Sequence, residues 1–149
     1  MSLQQDVMAA MKTAMKEKDQ LALAALRAIK SEILLAQTQT GTKEGLTSEE
    51  EIKILSKLVK QRKDSAAIFA EQNRADLAEP ELAQAKVISQ FLPEQLTEEE
   101  ITNVVKEVIA KVGAEGMKDM GKVMGVVTQQ LAGKADGKTI STIVRQQLA

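Results

Sequence analysis

The side chains of this chain best suited to chemistry are cations, and the chemistry they suit is the holding of anions. Lys118, Lys122, Lys134, Lys138 and Arg145 crowd the last third, which reads MKDMGKVMGVVTQQLAGKADGKTISTIVRQQLA from Met117. Lys60, Arg62 and Lys63 make a second run, Lys60-Gln61-Arg62-Lys63-Asp64. Three cations near one helical turn can hold a phosphate or an acidic partner. In Lys134-Ala135-Asp136-Gly137-Lys138, cations and the free N–H groups of a helix start can meet one backbone phosphate. Such contacts position a nucleic acid without reading its sequence. The only aromatic residues are Phe69 and Phe91, so base stacking on single strands is disfavoured. A structured RNA recognised by shape is the more compatible ligand.

Other chemistries are excluded by composition. The chain has no histidine and no cysteine, which removes thiolate chemistry, disulfides, zinc fingers and histidine-based triads. Glu49, Glu50, Glu51 and Glu98, Glu99, Glu100 could be drawn as acid–base pairs or metal ligands. Acidic residues in a first helical turn, however, complement its positive dipole end. There is no Walker loop, EF-hand spacing or dinucleotide fingerprint, so no catalytic residue, metal or cofactor is expected. The overall charge is −1 and does not by itself announce a nucleic-acid binder. Its distribution is uneven. Residues 1–110 hold fourteen Lys/Arg against eighteen Asp/Glu, and residues 111–149 hold six against three, net −4 and +3.

The elements that must position these residues are helices. Good helix formers dominate the composition, and apolar residues recur at helical spacing almost throughout. The first helix has the stripe Leu3, Val7, Met11, Met15, and a turn follows with Asp19 as N-cap. A second helix runs to about Gln37 on Leu23, Leu26, Ile29 and Ile33. Thr38 to Gly45 reads as a mobile loop. Thr47 and Glu50 have capping-box spacing and open a long helix with the seam Ile52, Leu55, Val59, Ala66 and Phe69. Its 3-4 spacing suggests an antiparallel hairpin. Arg62 lies on that seam, so its stem should pack while its head reaches across the hairpin. Asn73 to Asp76 reads as a break, and Pro80 fits the first turn of the next helix, which carries Leu82, Ala85 and Ile88.

Pro93 stops that helix and marks the best domain boundary. Thr97 then caps a helix with Leu96 and Ile101 as a hydrophobic staple, ending at Gly113. A further helix starts after Asp119, and Asp136 caps the last one. Residues 1–92 are thus expected as an N-terminal helical domain and 97–149 as a small three-helix domain. Gly121 and Gly125 have GxxxG spacing and suggest close approach of two backbones. If the last two helices are antiparallel, Lys134 and Lys138 lie at their junction and Lys118 and Lys122 at the opposite end. The five cations then need not form one patch. No apolar run reaches the ~20 residues of a membrane span, and MSLQQDVMAAMK has no signal-peptide core. A cytoplasmic location is expected.

Four phrases carry a family resemblance: QRKDS (Gln61 to Ser65), FLPEQLTEEEI (Phe91 to Ile101), DMGKVMG (Asp119 to Gly125) and GKADGKTIS (Gly133 to Ser141). They resemble the YqeY family, which is similar to the C-terminal tail domain of GatB, a subunit of the glutamine-dependent aspartyl/glutamyl-tRNA amidotransferase. The likeness to GatB itself is concentrated after about Thr97. It implies an all-α protein with an N-terminal helical domain and a C-terminal three-helix domain. It also implies a tRNA-associated accessory role, with tRNA or a tRNA-processing protein as partner. A label of carbon–nitrogen ligase with glutamine as amido-N-donor would be inherited from the family, because the catalytic cradle of GatB and the Ser–Ser–Lys apparatus of its partner subunit have no counterpart here. The alternative is a helical protein-interaction module that presents Lys60, Arg62 and Lys63 to an acidic partner.

Overall fold

Most helix starts in this chain are set by local side-chain chemistry, and the computed structural model, which describes residues 2–41 and 45–149, displays it at Ser2, Asp19, Thr47, Thr97 and Asp136. Helix α1 spans Leu3–Lys16, α2 Gln20–Thr40, α3 Ser48–Glu71, α4 Ala75–Ser89, α5 Glu98–Val112, α6 Met120–Gln130 and α7 Gly137–Leu148. A single 3₁₀ turn, Met117–Asp119, leads into α6, and there is no strand among the described residues. At the start of α3 the Glu50 N–H donates to the Thr47 hydroxyl at 3.2 Å, and the Thr47 N–H donates to the Glu50 carboxylate at 2.7 Å. Two donors that the helix leaves free are thereby satisfied. The Asp19 carboxylate accepts from the Ala22 N–H at 3.0 Å, and Gly41 and Gly113 end α2 and α5 in the left-handed conformation.

The chain divides into two compact units, Met1–Leu92 and Pro93–Ala149. In the first, α3 packs along α4, α1 packs on α2, and α2 bridges to both α3 and α4. Their shared core holds Val7, Leu26, Ile29, Leu55 and Ile88, all nearly solvent-free. In the second, α5, α6 and α7 pack on one another around Ile101, Val105, Val123, Val127, Ile140 and Val144. Leu96 packs against that core one position before the Thr97 cap, as a staple to Ile101. No polar or charged side chain is buried among the described residues, so burial of apolar surface is the main stabilising term in each unit.

Several expectations of residue placement are corrected. Met15 is 53% exposed, and Ala14 takes the buried position instead. Lys18 has a left-handed φ of 58°, and the Asp19 N–H folds back onto the Ala14 carbonyl at 2.9 Å. Ala14 is inward because, at about 100° per residue, it falls in the same arc as the buried Leu3 and Val7, whereas Met15 lies about 80° beyond Val7. Leu82 is 51% exposed, with Ala78 buried one turn earlier. Pro80 does not open α4, which starts five residues before it, at Ala75. The left-handed Asn73 (φ 60°) lets the Arg74 N–H reach the Phe69 carbonyl at 2.8 Å, so the chain reverses within the break and the helix restarts at once. Pro80 then removes the donor for the Asp76 carbonyl, at an exposed residue where water can replace it. Thr38 to Thr40 are helical. Gly41 ends the helix, and Thr42, Lys43 and Glu44 of the expected loop lie outside the described residues.

Gly121 and Gly125 are also corrected. Both are exposed, and a Cβ added at either would meet nothing within 4 Å. They lie across the helix from the buried Val123 and Val127, so they pack no backbone within this unit.

Candidate nucleic-acid interface

The cations of the last third fall into two groups because of how α5, α6 and α7 connect. A six-residue connection, 131–136, joins the packed helices α6 and α7, and a connection that short makes neighbouring helices antiparallel. The start of α6, with Lys118 and Lys122, therefore lies toward the end of α7, with Arg145. Lys134 sits in the connection itself, and Lys138 in the first turn of α7.

That connection is held from outside as well as within. The Leu96 N–H donates to the Lys134 carbonyl at 2.9 Å, and the Gln95 side-chain amide donates to the Gly133 carbonyl at 2.6 Å. The segment entering α5 is thus clamped onto the α6–α7 turn. Glu98, Glu99 and Glu100 consequently gather at the same end of the unit as Lys134 and Lys138. Asp136 joins them, accepting from the Lys138 N–H at 2.8 Å and from the Thr139 hydroxyl at 3.3 Å. Carboxylates outnumber cations at this end. Sequence reading missed this because a main-chain contact between residues 38 apart leaves no local signal.

The unit boundary also changes the charge balance. Residues 93–149 carry seven Lys/Arg and eight Asp/Glu, net −1. The +3 of residues 111–149 came from a cut that left out α5 and its acidic first turn. Within the unit the balance shifts by end, with acids in excess near the N-terminus of α5 and cations in excess toward its C-terminus. That arrangement also suits the helix dipole.

Lys118, Lys122 and Arg145 are all exposed. Lys118 is 3.8 Å from Glu115, with both side chains mostly in solvent, a pair that contributes little. Lys122 and Arg145 have no ion pair among the described residues. Asp119 is occupied locally, accepting from the Glu115 N–H at 2.9 Å. The outer face of α6 therefore offers Lys118, Lys122 and bare helix backbone at Gly121 and Gly125. A phosphate group can approach such a face without meeting a side chain larger than hydrogen.

The other run behaves differently. Lys60 is 3.5 Å from Asp64, one turn on, and both are exposed. Lys63 projects into solvent. Arg62 is half-buried: its Nε donates to Gln84 Oε1 on α4 at 3.1 Å and its Nη1 to the Leu58 carbonyl at 3.3 Å. As the seam position implied, its head reaches across the hairpin, where it is spent on internal bonds. Ser65 and Glu81 border it in a shallow polar groove open to solvent. At the hairpin tip, Arg74 meets the Asp76 carboxylate at 2.9 and 3.1 Å. This pairing holds Asp76 below the ordinary carboxylate range and raises Arg74. No cluster of three acidic side chains suited to a metal occurs among the described residues, and no helix is long and apolar enough to cross a membrane among them.

Residues 4–148 match the family described as Yqey-like protein. The chain belongs to the YqeY family. Two relatives are each named as a subunit of a Glutamyl-tRNA(Gln) amidotransferase. The one from Thermococcus gammatolerans is 37% identical over 73 residues, covering 46% of this chain and 12% of the relative. The one from Methanococcus maripaludis is 37% identical over 68 residues, covering 46% of the chain and 11% of the relative. This YqeY-family chain therefore spans only about a tenth of the length of those relatives. A third relative, Altered inheritance of mitochondria protein 41, mitochondrial, of Pyrenophora tritici-repentis, is 31% identical over 140 residues, covering 91% of the chain and 75% of the relative.

Proposed function

We propose that this YqeY-family protein is a tRNA-associated accessory protein whose Pro93–Ala149 unit docks on the phosphate backbone of a folded tRNA through the outer face of α6. The observation that carries the reading is that face: two glycines with open space above them and, beside them, two exposed lysines. Its context is the likeness to proteins named as subunits of a Glutamyl-tRNA(Gln) amidotransferase. Lys118, Lys122 and Arg145 are the preferred contacts. Lys134 and Lys138 come second, because the carboxylates clustered at their end oppose a polyanion. In this reading any carbon–nitrogen ligase chemistry, with glutamine as donor, belongs to another polypeptide.

Three phosphate contacts on this face contribute about −2.7 to the log–log salt slope, a loss of about 40-fold in affinity between 50 and 200 mM salt. Titration of the full chain with purified total tRNA tests this. Lys118→Gln/Lys122→Gln/Arg145→Gln should remove most of that contribution, and Lys134→Gln/Lys138→Gln should leave it nearly intact. Absence of binding at the lower salt would end the reading. Glutaminase or transamidation turnover by the purified chain alone would overturn its non-catalytic part.

A further inference from the structure

The twelve residues from Ile52 to Lys63, IKILSKLVKQRK, contain five cations and no carboxylate, and are bounded by Glu51 and Asp64. The unit they belong to, Met1–Leu92, is balanced only as a whole, with thirteen Lys/Arg, these five included, and thirteen Asp/Glu. Positive charge is thus concentrated on one stretch of α3. At about 100° per residue, Lys53, Lys57, Lys60 and Lys63 fall within one arc of about 120° opposite the buried Leu55 and Leu58, with Lys63 at the edge nearest Val59. All four are exposed. Arg62, the fifth cation, falls on the buried side and bonds Gln84. The four ammonium groups form a ladder about 15 Å long at the rise of an α-helix. Sequence reading picked out only the end of this ladder, Lys60 and Lys63, and took Arg62 with them. The missed signal was the period that joins Lys53 and Lys57 to Lys60.

Existing partners would not hold the ladder back. Lys57 is 3.9 Å from Glu32 and Lys60 is 3.5 Å from Asp64, with the lysine side chains 61% and 78% exposed. Exposed pairs of this kind contribute little and exchange readily. Lys53 and Lys63 have no ion pair among the described residues.

The ladder's surroundings select the class of partner. A protein interface is anchored by buried apolar or aromatic side chains, yet none of the large hydrophobic side chains exposed in this protein lies between Ile52 and Lys63. There is also no aromatic residue there to stack an unpaired base. A row of flexible ammonium groups without apolar anchors fits a regularly repeated anion, the phosphate backbone of a folded RNA. We propose that Lys53, Lys57, Lys60 and Lys63 form a second RNA-backbone docking surface, on the Met1–Leu92 unit. The proposal rests on the premise above that the ligand is folded RNA, but on different residues in a different unit.

The test uses the full chain and two probes, total tRNA and poly-glutamate, in a salt titration. Lys53→Gln/Lys57→Gln/Lys60→Gln/Lys63→Gln keeps good helix formers at every site, and matched circular dichroism and melting establish that it folds. Four lost phosphate contacts should flatten the salt slope by about 3.6, so that the parent loses about 150-fold more affinity than the variant between 50 and 200 mM salt. The Lys→Arg quadruple variant should keep the parental slope. An unchanged slope in the folded glutamine variant would overturn the proposal. Retained tRNA binding with lost poly-glutamate binding would also overturn it, in favour of an acidic protein partner. The α6 and α7 variant Lys118→Gln/Lys122→Gln/Arg145→Gln separates the two readings. If it alone flattens the slope, the α3 ladder is wrong and the α6 face stands. If only the α3 variant does, the reverse holds. Should the parent fail to bind tRNA at all, both fall.

Discussion

Replacing Gly125 with alanine separates packing from docking on α6. Gly125 is the sixth residue of a helix that begins at Met120, is exposed, and would present its new Cβ to open space. No clash opposes the change, and alanine is favoured over glycine by about 0.8–1 kcal/mol in a helix interior. Gly121 lies in the first turn, where the helix constrains the backbone less, so its share should be a few tenths of that. Gly121→Ala/Gly125→Ala is therefore expected to stabilise the Pro93–Ala149 unit by about 1 kcal/mol. With a urea m-value in the small-protein range of about 1–3 kcal/mol/M, that raises the midpoint by about 0.3–1 M. The assay is urea unfolding followed by amide-exchange protection of α6, with tRNA affinity measured on the same samples. Two added methyl groups on the docking face should weaken binding while stability rises. A lower midpoint would refute the reasoning, because it would mean that the glycines are packed. Raised stability with unchanged tRNA affinity would retain the structural account and remove this face from the interface.

Ile140, 1% exposed, anchors the core of the second unit, so Ile140→Ala should cost about 2–5 kcal/mol, while Met15→Ala, at a 53% exposed site, should stay within about 0.5 kcal/mol; urea midpoints distinguish them. Thr47→Ala removes the acceptor for the Glu50 N–H and should cost about 1 kcal/mol, seen as faster exchange in the first turn of α3. Asp76 is held below its ordinary pKa by Arg74. Its contribution should therefore be complete above the ordinary carboxylate range and fade as pH falls through the depressed value. The urea midpoints of the parent and Asp76→Asn should differ at pH 6 and converge under acid.

Features that depend on neighbours in the sequence were legible from it. The capping pairs at Thr47 and Thr97, the left-handed stop at Gly113 and the staple of Leu96 with Ile101 arise within a few residues of chain. So does the stripe Leu23, Leu26, Ile29 and Ile33, where one buried arc runs the whole helix. Failures cluster where a helix ends or turns. Ala14 shares the arc of Leu3 and Val7 at about 100° per residue, and a strict four-residue stripe drifts off that arc by Met15. Pro80 has a strong preference for a first turn, yet Asn73 and Arg74 restarted α4 ahead of it, since an exposed carbonyl tolerates the missing donor.

By itself the amino-acid sequence determined the helical character, the placing of the caps, the exclusion of thiol and imidazole chemistry, and the phrases that mark the YqeY family. These are properties of residue type and short spacing. Tertiary structure alone decided which charges share a surface. The clamp of Gln95 and Leu96 onto Gly133 and Lys134 brings three glutamates to the lysines of the α6–α7 turn. The hairpin of α3 and α4 turns Arg62 inward while leaving its lysine neighbours in water. Electrostatic fields add over distance in space, so the sign of a surface depends on contacts that local sequence does not encode.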